Sequence, residues 1–389
     1  MDIYRDMPDE NLVKILIGGD VYPGSQYSSL FSDGNCKGIF GDLLKQIDES
    51  DFSVVNLESP LITQNSPIVK SGAILGANST CINGLKSAGF DLVNLANNHI
   101  LDHGVGGIAQ TVKICQENNI FTVGVGRNEV EASKVFIANI KKKKIGFIGI
   151  AEHEFSVATR FSWGAAPLDL ICNSRTISEN KKKVDYLIVL LHAGNEHYPY
   201  PSPRLKNICH FFAENGADAI IVQHTHCVGC YERFKGTHIV YGQGNFVFFS
   251  QCNKKSFFEG ILIKLSLNTK NQDVEIDFIP FKQSYQALGV REMDPEDKEM
   301  FFREFEERSQ RVLDDDFLHN RWLDFCLEKR NEYVSYLRGH GRILTYLNKI
   351  GFIGSRINSN KLLTSVRNVV LCEAHREVLE TLFYNNLIK

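Results

Sequence analysis

The sequence predicts an α/β fold with a helical C-terminal extension, on three observations. Through residues 1–290, short apolar runs bounded by turn residues alternate with amphipathic stretches. Two pairs of such runs are joined by short polar links, as in hairpins. After Arg291, charged and aromatic residues mix at helical spacing. The expected division is therefore a catalytic domain over 1–290 and a helical extension over 291–389.

The expected strands follow in order. Lys14–Ile17 runs into Gly18-Gly19-Asp20, and Phe52–Leu57 ends at Glu58. Asp91–Leu95 ends at Ala96-Asn97-Asn98-His99, and Phe121–Val125 is the fourth. Val184–Leu191 ends at His192, Ala219–Val222 at Gln223-His224, and His238–Tyr241 at Gly242-Gln243-Gly244-Asn245. Helix-like stretches lie between them at Leu43–Ile47 and Ile108–Glu117; strands alternating with helices define the class. The hairpins pair Val135–Ile140 with Ile145–Ile150 and Gly260–Leu267 with Val274–Pro280. Lys141–Lys144 is read as a solvated hairpin tip, with an anionic-partner patch as the alternative, and Lys181–Lys183 likewise. In the extension, Phe301, Phe302, Phe305, Trp322, Phe325, Tyr333, Tyr336 and Leu337 read as core or as a docking face. Gly339, Gly341, Gly351 and Gly354 divide it into shorter helices.

The 389 residues are 43% hydrophobic and 23% charged, a globular composition able to bury a sizeable core. A net charge of -3 gives no sign of a nucleic-acid partner. The acidic, polar N-terminus does not read as a signal peptide, and no apolar run reaches the roughly 18 residues of a membrane span. The expectation is a cytoplasmic protein whose ten cysteines are reduced. Cys227 and Cys230 form one C-x-x-C, read as packing behind a site, with structural zinc or redox chemistry as the alternative.

One pattern recurs at five strand ends, where an apolar run is followed at once by a metal-capable side chain. The five are Asp20, Glu58, Asn98-His99, His192 and His224-Thr225-His226. Ligands bind at the carboxyl ends of strands in open α/β sheets, so five such ends converge on one crevice. Each has an ordinary reading alone: Asp20 as a helix cap, Glu58 as a turn residue, His99 as a core histidine. One site accounts for all five. Carboxylates mixed with imidazoles suit Mn, Zn or Fe better than Ca. One ion, or two sharing a carboxylate about 3.5–4 Å apart, would polarise a phosphoryl or carbonyl oxygen and activate water.

These residues resemble the bacterial capsule-synthesis CapA (poly-γ-glutamate biosynthesis) family, a branch of the calcineurin-like metallophosphoesterases. The matching pieces run in the family's order: Gly19-Asp20; Asn56-Leu57-Glu58-Ser59-Pro60-Leu61; Leu95 through Gly104; Leu191 through Glu196; His224-Thr225-His226; and Tyr241 through Phe248. They cover residues 14–250 and leave the extension uncovered. The resemblance implies a four-layer αββα sandwich. It implies that Asp20 and His226 hold one metal, that Glu58 bridges, and that Asn98, His192 and His224 hold the other. It makes His99 the acid that protonates the leaving oxygen, with Asp102 orienting it (helix capping is the alternative for Asp102), and Glu196 matches a family position of unassigned task. Departures are Tyr22 in place of the His of Asp-x-His, Asn-x-Glu in place of Gly-Asp-x-x-Asp, Ala193 for Trp, and Gly242-Gln243 for Ser-Leu. The first ion is thus one ligand short, and the alternative is a single ion at Glu58, Asn98, His192 and His224.

The function expected is metal-dependent hydrolysis or transfer on a phosphoester or a capsular polymer. The alternative is a non-catalytic accessory subunit whose helical tail docks on partners of a capsule-synthesis complex. A phosphatase or nuclease unrelated to capsules is a third reading.

Overall fold

The computed structural model describes residues 12–250, 254–271, 273–284, 287–337, 360–385 and 387. Two sheets stack face to face. The first runs Val290–Glu292, Val274–Gln283, Glu259–Asn268, Leu12–Val21, Phe52–Leu57, Leu92–Asn94, Phe121–Val123, with Asn245–Val247 also paired to Leu12–Val21. The second runs Tyr231–Phe234, Thr237–Val240, Ala219–Gln223, Tyr186–His192, Lys143–Ala151, Phe136–Ile140. Both expected hairpins are antiparallel pairs; Leu12–Val21 is antiparallel to Glu259–Asn268 and parallel to Phe52–Leu57, and Tyr186–His192 is parallel to both its neighbours.

Side-chain alternation sets the layers. Ile188 and Leu190 point into the core between the sheets, where they meet Ile15, Ile17 and Val54. Leu187, Val189 and Leu191 point the other way, onto helices Leu170–Lys181 and Pro203–Glu214 through Ile177, Leu205 and Phe212. On the far face of the first sheet, Leu16, Val55 and Val93 meet Phe31, Leu85 and Ile108 of the early helices. Helix, sheet, sheet, helix is the αββα sandwich that the resemblance implies. Strands covered on both sides need apolar residues at every position, which is why Tyr186–His192 is buried throughout.

Register decides what stands at the strand ends. Asp20 pairs with Asn56 on one side and Asn245 on the other. His192 pairs with Ala151 and Gln223.

The extension contributes helices Pro295–Arg311, Asp315–Leu337, Asn360–Leu371 and Glu373–Tyr384. Its aromatic residues divide between two cores. Phe301 and Phe305 close the end of the inter-sheet core. Trp322, Phe325 and Tyr333 gather with Val369, Val378, Leu379 and Leu382 around Tyr198. Those aromatics are therefore spent on packing within the chain. The side chains of Tyr336 and Leu337, and the four glycines from 339 to 354, lie outside the described residues. The hairpin lysines are partly paired: Lys141 with Asp51 at 2.7 Å, Lys143 with Asp185 at 3.3 Å.

Candidate metal centre

The strand ends converge as the topology requires. Glu58, His192 and His224 each offer a ligand atom within 4.8 Å of the others, and so do Asp20, Glu58 and His226. The two triads share Glu58. Asn98 joins the first, its Oδ1 lying 3.0 Å from His192 Nε2. All of these residues, and His99 with them, are buried.

Asparagines beside the strand ends hold these candidate ligands in place. Asn56 Nδ2 donates to Asp20 Oδ1 at 2.7 Å, and Asn245 Oδ1 lies 2.8 Å from His226 Nδ1. The His224 backbone N–H donates to Asp20 Oδ2 at 3.2 Å. The 224–226 turn is strained, with His224 at φ 93 and His226 at φ 52, conformations rare outside glycine and typical of functional sites. His192 and His224 rings stand with centroids 4.8 Å apart.

The electrostatics of these side chains are those of a cation site. Both Glu58 carboxylate oxygens are buried with no hydrogen-bond partner, and His224 Nδ1 is likewise orphaned. Burial, then the Asp20 charge, pushes the Glu58 carboxyl well above the usual carboxylate range, against the pull of His226. Burial holds His192 down to about 4, so the ring is neutral and able to ligate. Burial also works against charge on His226, but Glu58, Glu196 and Asp20 outweigh it and raise the ring above its ordinary value. Buried polar atoms without partners are uncommon, and a shared divalent ion would satisfy the three orphaned here. The donor set therefore fits a divalent transition metal.

His99 stands beside this group. Its Nδ1 lies 2.7 Å from Asp102 Oδ2, while Lys70 Nζ donates to Asp102 Oδ1 at 2.7 Å and the Leu75 N–H to Oδ2 at 2.7 Å. Burial lowers the His99 ring below the ordinary imidazole value, partly countered by Asp102. Asp102 is itself buried, and its bonds and charge contacts with His99 and Lys70 still bring it down. Glu196 lies at the open side of the cleft; despite the desolvating walls, His226 and His224 hold its carboxyl down to about 2. Tyr22 fills the departing position by turning its hydroxyl toward Gly76 O at 3.5 Å and packing on Phe248. Cys227 and Cys230 are buried free thiols behind the site.

Several residues of the site escape the sequence reading. Glu154 accepts from Asn98 Nδ2 at 3.1 Å, and Glu152 accepts from the Gly194 N–H at 2.8 Å. Both follow the end of strand Lys143–Ala151, a sixth strand end to which the same rule applies. Asn56 lies inside a matching motif yet carries no assigned role there. Lys70 has no local signal; it sits in an irregular loop.

The site opens into a cavity of about 730 Å³, lined by Tyr22, Lys70, His99, Glu196 and, from the extension, Phe325 and His375. The bacterial capsule synthesis protein family PGA_cap matches residues 14–250, which bear all nine expected site residues. The chain belongs to this family. Among PGA_cap-related proteins, the capsule biosynthesis protein CapA of Bacillus anthracis is 26% identical over 249 residues, covering 62% of this chain and 60% of that protein. The PGA biosynthesis protein CapA of Bacillus subtilis (strain 168) is 29% identical over 235 residues, covering 59% and 62%. The chain thus spans about three fifths of the length of the curated relatives it matches. A solved 5'-nucleotidase precursor from Thermus thermophilus is 11% identical, with a TM-score of 0.41 over 73% of this chain and 55% of that one. Among the described residues, no helix is long and apolar enough to cross a membrane.

Proposed function

We propose that this PGA_cap chain is a divalent-metal-dependent hydrolase of capsule or exopolymer metabolism, acting on a phosphoester or a γ-glutamyl linkage. One observation carries the proposal: the buried Glu58 carboxylate has no hydrogen-bond partner, only His192 Nε2 at 3.3 Å, yet Asp20, His192, His224 and His226 surround it. Asp20, Glu58 and His226 are assigned to one Mn, Zn or Fe ion, and Glu58, Asn98, His192 and His224 to a second. When bound, such an ion supplies Lewis acidity toward a phosphoryl or carbonyl oxygen and makes water a nucleophile near neutral pH. The chain's own residues supply the rest. His99 gives its proton to the leaving oxygen. Asp102 holds the ring through Nδ1 and stabilises its charged form, and Lys70 holds Asp102. Glu196 stays charged on the cleft wall, placed to orient a hydroxyl or ammonium of the substrate. The chemistry is assigned to residues 1–290 and one wall of the cleft to the extension.

The experiment is turnover of a generic phosphodiester and a γ-glutamyl peptide by manganese- or zinc-loaded protein. His99→Ala should lose about 10²–10⁴-fold in kcat while keeping its bound metal, as for removal of a general acid. Wild-type turnover no faster than that variant on both substrates overturns the reading.

Tyr22 favours a second reading, an accessory subunit that keeps the fold without catalysis. Its docking surface would be the exposed end of the last helix, where Phe383 and Tyr384 are 57% and 84% accessible. Protein that binds no metal and melts at the same temperature with or without added ion would favour this reading.

A further inference from the structure

We propose that Glu154, Cys372 and His375 form a separate site for a zinc-like transition metal, fastening the C-terminal helices to the wall of the cleft. None of the three belongs to the ligand triads around Glu58. Each offers one donor atom, and the three lie within 4.8 Å of one another. Ligands of a tetrahedral zinc at ~2.0–2.3 Å stand roughly 3.5 Å apart, so a small inward shift closes the shell. Thiolate, imidazole and carboxylate together select zinc or cobalt over magnesium or calcium.

The partners of each residue leave the right atom free. Glu154 Oε2 accepts from Asn98 Nδ2 at 3.1 Å, and its Oε1 faces His375 Nε2 at 3.7 Å. That second spacing is too long for a hydrogen bond. His375 Nδ1 lies 2.6 Å from the Tyr333 hydroxyl, the outer partner that ordinarily fixes a ligating imidazole so that Nε2 meets the metal. Cys372 is 2% exposed, a free thiol, and the N-cap residue of helix Glu373–Tyr384, making no side-chain cap bond. Burial and the charges of Glu154 and Glu152 hold the Cys372 thiol well above its ordinary value, so the thiolate forms when the cation displaces the proton to solvent.

An independent observation lies one turn earlier. Asn368 accepts from the Cys372 N–H at 2.8 Å through its backbone oxygen, and its buried Oδ1 has no hydrogen-bond partner. Asn368 lines the same cavity as Glu154 and His375. The fourth tetrahedral position falls to this oxygen or to water from the cavity. Because Glu154 also holds Asn98, a metal here ties the extension to the orientation of a residue at the main site.

The test uses the full chain, stripped by chelation and titrated with Co²⁺. The expected result is a cobalt–thiolate charge-transfer band that saturates with one ion per chain. Cys372→Ala and His375→Gln should each abolish the band and lose that one ion by elemental analysis, with circular dichroism checking the fold. Glu58→Gln should lose the ions of the main site and keep the band, which separates failure here from failure of the hydrolase reading. Absence of a thiolate band in the wild type overturns the proposal without recourse to any variant, and indicates a bare ion pair between His375 and Glu154. A band that survives Cys372→Ala overturns it equally.

Discussion

Glu58 concentrates the energetics of the site. A buried carboxylate that accepts no hydrogen bond carries a desolvation cost that a proton or a bound cation relieves. Removing its charge should therefore help the metal-free chain and harm the loaded one. Metal-free Glu58→Gln should melt at or above metal-free wild type. Added Mn²⁺ should raise the wild-type melting temperature, by the equivalent of about 2.7 kcal/mol at a hundredfold excess over Kd, and leave the variant unmoved. Differential scanning calorimetry with and without metal checks both arms; an equal upward shift in the two proteins would remove Glu58 from the ligand set. The candidate ligands were legible because each lies within a few residues of the end of an apolar run, and that juxtaposition is local. Glu154 follows Ala151 by three residues, within Glu152-His153-Glu154-Phe155, where no apolar pattern singles it out. Lys70 reaches Asp102 across 32 positions of chain, a contact that only the fold creates.

At the scale of single elements, close approach explains why glycines precede Asp20. A Cβ on Gly19 would stand 2.3 Å from the Gly244 carbonyl oxygen, which is backbone and has little room to yield. Gly19→Ala should push strand Leu12–Val21 away from the 242–245 turn and displace Asp20 from its register with Asn245. The expected loss is about 1–3 kcal/mol in urea denaturation, together with weaker metal binding. Wild-type values for both would mean that the two segments separate freely. A second element carries a pH dependence. His238, in strand Thr237–Val240, is buried; its Nε2 lies 2.8 Å from the Val274 carbonyl oxygen and its Nδ1 2.9 Å from the Tyr231 hydroxyl. Burial lowers its pKa, and the Val274 bond only partly restores it. The unfolded ring takes a proton near pH 6.5 while the folded ring resists until lower pH, so its contribution is complete above that value and is lost as pH falls below it. His238→Gln should flatten the slope of melting temperature between about pH 5 and 7. Identical slopes would show that this ring does not report on folding. The strands were readable from apolar runs, and the hairpins from their polar links. Strand ends shifted by a residue or two because hydrogen bonding, not hydropathy, ends a ladder, as where Asp91–Leu95 becomes Leu92–Asn94.

At the scale of the whole molecule, the extension is joined to the sandwich by charge as much as by apolar contact. Aromatic spacing reveals its helices but not their docking, because the docking depends on residues of opposite charge far apart in sequence. Glu377 is the centre of that junction. It is 8% exposed and accepts from the Ser202 hydroxyl at 2.5 Å, the Arg204 N–H at 3.0 Å and Arg204 Nε at 3.1 Å. Arg204 also pairs with Glu152, whose other oxygen holds the Gly194 N–H beside His192. One arginine thus connects the last helix to the end of a site strand. Glu377→Ala leaves this partly buried guanidinium with one partner and the Arg204 N–H, in the first turn of helix Pro203–Glu214, without its acceptor; breaking such a buried pair costs about 3–5 kcal/mol. That cost falls first on the last two helices, which pack around Tyr198, whereas the extension residues in the sandwich cores, Phe301, Phe305, Val312 and Leu318, all precede them. Limited proteolysis of the full-length variant should therefore cleave within the extension much faster than in wild type. The fragment carrying residues 14–250 should survive and keep the metal-dependent melting shift. Simultaneous loss of both parts would show that extension and sandwich unfold as one unit.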